Sequence, residues 1–98
     1  MTPSLEEAFR LLRLAQRDLQ TYHILAAHPD ASLVATCFHA QQSVEKALKA
    51  VLTARRATIP STHNLEELGL LVAECGIGLP APARHLRRVS PFAVDFRY

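Results

Sequence analysis

Leu5, Ala8, Leu12, Ala15, Leu19, Tyr22 and Ala26 recur at steps of three and four residues. That period keeps side chains on one face of an α-helix. Leu11, Leu14 and Leu25 widen the face. Ser4, with Glu7 three residues on, reads as an N-cap and capping box. The spacing therefore predicts one amphipathic helix of about six turns. His28-Pro29-Asp30 ends it, because proline disfavours helical backbone in the residue before it. A second long helix is predicted from Asp30 or Ala31 to Arg55. At about 100° per residue, Leu33, Val34, Cys37, Phe38, Ala40, Val44, Ala47, Leu48, Val51 and Leu52 share one broad apolar arc. So short a connection between two long helices forces an antiparallel hairpin.

Ala57-Thr58-Ile59-Pro60-Ser61 reads as a loop. Thr62, His63 or Asn64 can cap a third helix, and Asn64 with Glu67 makes the better capping box. Leu65, Leu68, Leu71 and Val72 give this helix an apolar face despite Gly69. Gly76 and Gly78 follow, where glycine makes a left-handed cap cheap. A short helix is predicted from Ala81 or Ala83 to about Val89, interrupted by Ser90-Pro91. Residues 92–98 read as an extended or irregular tail. The expected fold is all-α: an antiparallel long-helix hairpin completed into an up-and-down bundle by shorter helices, in one domain over residues 1–98.

Composition agrees. The chain is 49% hydrophobic and 20% charged, with no Trp, which fits a folded helical globule with a thin core. A net charge of +2 is too small to argue nucleic-acid binding by itself. Its distribution says more. Arg10, Arg13 and Arg17 lie on successive turns, and Arg84, Arg87, Arg88 and Arg97 dominate the last part of the sequence. The two cysteines, Cys37 and Cys75, have apolar neighbours and no close second Cys. They read as small buried thiols in a reducing cytosol. There is no secretory leader pattern and no apolar run of membrane-spanning length, so a cytoplasmic protein without membrane association is expected.

Two polar residues break the apolar arc of the second helix. Gln41 and Glu45 fall inside it, four residues apart and so stacked on one side. A buried amide and a buried carboxylate need partners. The expectation is a buried polar network, with Arg97 as a candidate partner of Glu45; the alternative is the polar floor of a pocket. The opposite side carries His39, Gln42, Lys46 and Lys49 in one stripe. These are the ligand-binding candidates, because lysines suit phosphate contact; a solvated face is the competing reading. No metal-ligand spacing and no phosphate-binding glycine loop occurs, so neither metal nor cofactor is expected.

Phe38-His39-Ala40-Gln41-Gln42, then Val44-Glu45-Lys46-Ala47-Leu48-Lys49-Ala50, the loop Pro60-Ser61-Thr62-His63-Asn64-Leu65, and Phe96-Arg97-Tyr98 together resemble the HEPN family of small helical bundles, in order and spacing. The resemblance covers nearly the whole chain. It implies a homodimer built through the long helices. It also implies pairing with a minimal nucleotidyltransferase, often as a toxin–antitoxin component, and a nucleotide- or RNA-binding role. A subset of the family are metal-independent ribonucleases that use an Arg, four to six intervening residues, and a His.

This sequence departs from the family in two ways. The family usually continues past the Arg-Tyr block into another long amphipathic helix, whereas the sequence stops at Tyr98. Either a shortened member or a truncated one is expected, with an apolar groove left on the first two helices. The ribonuclease spacing also falls in unusual places. Arg56 and His63 have six residues between them, and Arg17 and His23 have five. Arg56 and His63 are the catalytic candidates. A binding partner of a nucleotidyltransferase is the leading expectation, a ribonuclease the second, and a plain dimerisation module the third.

Overall fold

The computed structural model describes residues 1–88. Three α-helices follow in order: α1 (Pro3–Ala26), α2 (Leu33–Ala54) and α3 (Leu65–Glu74). A 3-10 helix at Ala83–Arg88 closes the described part, and no strand occurs among the described residues. α1 packs along α2, α3 packs on α2, and the 3-10 segment packs on α3. This is the all-α hairpin-based bundle the periodicity predicts. The tail at 89–98, including Arg97, lies outside the described residues.

The helix ends differ in detail from expectation. Thr2, not Ser4, caps α1: its hydroxyl accepts from the Leu5 N–H at 3.3 Å. Pro3 then occupies the first helical turn, where its missing N–H is harmless. α2 starts two to three residues later than predicted, because Ser32 caps it by accepting from the Ala35 N–H at 3.2 Å. Asn64 caps α3 as expected, accepting from the Glu67 N–H at 3.0 Å. The reciprocal half of the box is replaced, since the Asn64 N–H donates to the Thr62 hydroxyl instead.

Both α2 and α3 end in the paired bonds of a Schellman motif. After α3 the left-handed residue is Gly76, at φ 81°. After α2 it is Arg56, at φ 56°. The Arg56 N–H donates to the Thr53 carbonyl and the Ala57 N–H to the Leu52 carbonyl, each at 3.0 Å. This turns the chain back over α2 and lets Ala57 and Ile59 pack against the core.

That core is Leu52, Leu65, Leu68 and Val72, all fully buried, with Leu48 and Val51 beside them. It lies at the C-terminal end of α2. The α1–α2 contact is different in kind: on α1 only Ala8 and Ala15 are buried. Leu5, Leu12 and Leu19, expected to face the core, are exposed, and so are Leu33, Val34 and Phe38. Small residues let the two helices approach closely, which leaves the larger apolar side chains on the flanks of the contact. Between the helices an apolar groove of about 280 Å³ runs past Leu5, Phe9, Leu12, Val51 and Ala54. Gly69 marks another close approach. A Cβ there would stand 2.7 Å from Leu86 Cδ1 and 3.3 Å from Ala83 Cβ.

Candidate functional site

Glu45 sits in the middle of α2, where the apolar arc faces inward, and its side chain is only 6% exposed. Burial alone would raise its pKa. Hydrogen bonds from Lys49, His63 and Gln41, with the charge of Lys49, outweigh that and hold the carboxyl below the ordinary carboxylate range. Gln41 Nε2 donates to Oε1 at 3.0 Å, and Lys49 Nζ donates to Oε2 at 3.1 Å. His63 Nδ1 lies 3.0 Å from Oε1 and 3.1 Å from Oε2. An ionised carboxylate only accepts, so these contacts fix the polarity of the network. Gln41 must point its amide nitrogen at Glu45, and its Oε1 then accepts from Gln42 Nε2 at 2.9 Å. His63 must carry its proton on Nδ1.

The loop between α2 and α3 delivers that histidine. The left-handed turn at Arg56 reverses the chain, Ile59 anchors it on the core, and the cap at Asn64 fixes the residue before it. The His63 side chain remains 57% exposed.

A second carboxylate does similar work for the other half of the stripe. Asp18, on α1, accepts from His39 Nδ1 at 2.9 Å and from Lys46 Nζ. Its pKa too is held below the ordinary range: burial opposes ionisation, but the hydrogen bonds and charges of Lys46 and His39 prevail. A recess of about 290 Å³ opens here, lined by Leu14, Arg17, Asp18, Thr21, His39 and Lys46. Beside it the Ser43 hydroxyl donates to the Ala15 carbonyl at 3.0 Å, which ties α2 to α1 at the buried Ala15.

The polar stripe of α2 is therefore not a free solvated face. His39 and Lys46 reach across to Asp18, while Gln42 and Lys49 belong to the Gln41–Glu45 network. Among the described residues every buried side-chain nitrogen and oxygen has a partner. Arg97, the expected partner of Glu45, lies outside the described residues, and Lys49 and His63 satisfy the carboxylate within them. Arg56 is exposed at its left-handed turn, and no hydrogen bond or ion pair joins it to His63 among the described residues.

Two residues of the site escaped sequence reasoning. In the sequence Asp18 stands next to Arg17 and reads as an ordinary surface charge. It lies three residues after the buried Ala15, on the contact side of α1, a placement as anomalous for a carboxylate as that of Glu45. Ser43 is a small polar residue facing a small apolar one. Cys37 and Cys75 are free and only partly buried. No group of three His, Cys, Asp or Glu is placed to hold a metal ion among the described residues. Nor is any described helix long and apolar enough to cross a membrane.

The model of the HEPN domain matches residues 8–98. The chain belongs to the HEPN family. No curated protein and no solved structure matches it. Within the HEPN match lie both carboxylates, all the donors that bind them, and the loop that carries His63.

Proposed function

We propose that this HEPN-domain protein is a binding and regulatory partner of a minimal nucleotidyltransferase, acting as a homodimer and taking a nucleotide or RNA on the polar face of α2. A toxin–antitoxin pair is the setting such a partnership suggests. The observation that carries the reading is the preorganisation of that face. Asp18 and Glu45 hold two histidines and two lysines in fixed positions. Lys46 and Lys49 keep 27% and 22% of their side chains exposed, and an ammonium has three donors, so each can serve an outside acceptor as well. Groups already ordered lose little entropy on binding. Copurification from the native host, read by mass spectrometry, tests the partnership. A nucleotidyltransferase recovered in stoichiometric amount supports it; consistent recovery of none contradicts it.

One observation favours a second reading. A buried carboxylate that orients an exposed imidazole is half of a general-base arrangement. A metal-independent ribonuclease would use His63 in that way, with Arg56 near the RNA phosphate. RNA cleavage in excess chelator, abolished by His63→Ala, is the expected result of that reading. Cleavage that survives the substitution rules it out.

A further inference from the structure

The loop histidine and the second lysine of α2 meet on one oxygen. His63 Nδ1 and Lys49 Nζ both lie 3.1 Å from Glu45 Oε2, so they are no further apart than twice that distance. Nδ1 carries the proton, because the carboxylate it meets is a pure acceptor. In the neutral ring Nε2 then has its lone pair free to accept, and it points away from Glu45 on a side chain that is 57% exposed. On the Glu45 side of the same ring stands the Lys49 ammonium, with N–H donors to spare. An acceptor next to a cationic donor is an uncommon pairing for an anion site, which asks for donors alone. It suits a ligand that offers a hydroxyl close to a phosphate.

We propose that His63 Nε2 and Lys49 Nζ form a recognition point for a ribonucleotide, Nε2 accepting from a ribose hydroxyl and Nζ donating to a phosphate of the same nucleotide. Glu45 is the positioning residue: it touches no ligand but fixes the tautomer that makes Nε2 an acceptor. The proposal rests on the nucleotide-binding reading above and adds to it a preference for ribose over sugars without hydroxyls. A single neutral hydrogen bond of this kind discriminates by about three- to tenfold.

Calorimetric titration of the intact chain at pH 8 tests this, with the four ribonucleoside triphosphates and their 2′,3′-dideoxy counterparts as probes. The expected result is saturable binding of at least one ribonucleotide, with its dideoxy counterpart about three- to tenfold weaker. In His63→Asn the amide nitrogen takes the place of Nδ1 and keeps the bond to Glu45, but nothing replaces Nε2. That variant should fold as the parent does and bind the two sugars equally. Equal binding of both sugars by the parent overturns the ribose preference and leaves the nucleotide reading intact. Discrimination that persists in His63→Asn overturns the assignment to Nε2. Binding of no triphosphate by the parent overturns both.

Discussion

Glu45 holds His63 Nδ1 against both its carboxylate oxygens, at 3.0 and 3.1 Å, across eighteen residues of sequence. This bond ties the loop before α3 to the middle of α2. It converts a buried charge, ordinarily a liability, into a fixed point for an exposed side chain. The same carboxylate anchors Lys49 and Gln41, so its removal is felt in three places.

Glu45→Ala strands the fully buried Gln41 amide and leaves Lys49 and His63 to water. The unmet buried donor costs about 1–3 kcal/mol and the cavity left by the side chain adds to it, a large part of a small domain's stability. Glu45→Gln keeps the shape but replaces one acceptor by a donor that faces another donor, at about 1–3 kcal/mol. Chemical denaturation of the three proteins should rank them parent, Gln, Ala. An alanine variant as stable as the parent would show that the network does not hold the fold.

Asp18 and Lys46 join α1 to α2, with side chains 13% and 27% exposed. Both are shielded enough for the pair to count. A double-mutant cycle of Asp18→Asn and Lys46→Met should give a coupling of about 1–2 kcal/mol. Additive effects would mean that the pair is merely adjacent.

Both carboxyls have native pKa values below those of the unfolded chain. Groups shifted in this direction contribute stability that is fully present above the unfolded carboxylate value, about 4. That stability is lost as pH falls through the lower, folded values. Melting temperature should therefore decline below about pH 4, and less steeply in Asp18→Asn and Glu45→Gln. An acid profile unchanged by both substitutions would contradict the assignment.

Arg56 occupies the left-handed position at φ 56° that glycine fills after α3. A side chain there costs about 1–2 kcal/mol relative to glycine, partly offset by glycine's freedom in the unfolded chain. Arg56→Gly should stabilise the protein by about 0.5–1 kcal/mol in chemical denaturation. A loss of stability would mean that the arginine side chain makes up for its own strain.

The hairpin, the cap at Asn64 and the burial of Gln41 and Glu45 could all be read from the sequence, because periodicity and capping act within a few residues of one another. What escaped is what depends on contact between elements. Asp18 acquires its meaning only when α1 lies against His39 and Lys46. Gly69 reads as a weak point in the apolar pattern of α3, yet its missing side chain is what makes room for Ala83 and Leu86. Leu5, Leu12 and Leu19 have the period of a core face, yet Ala8 and Ala15 make the contact and the leucines flank it. The polar stripe of α2 is legible as a stripe from its spacing, but not the carboxylates beneath it: His39 and Lys46 meet Asp18, and Lys49 meets Glu45, only once the chain is folded.

The tautomer of His63 tests the account most directly, since Glu45 leaves it no choice while the network is intact. Long-range nitrogen–proton correlation spectra of the intact, uniformly nitrogen-labelled chain report it for the neutral ring. The pattern of a proton on Nδ1 and a bare Nε2 is the predicted result, lost in Glu45→Ala, which removes both acceptors. A proton on Nε2 in the parent would contradict the Glu45–His63 bond and the site built on it.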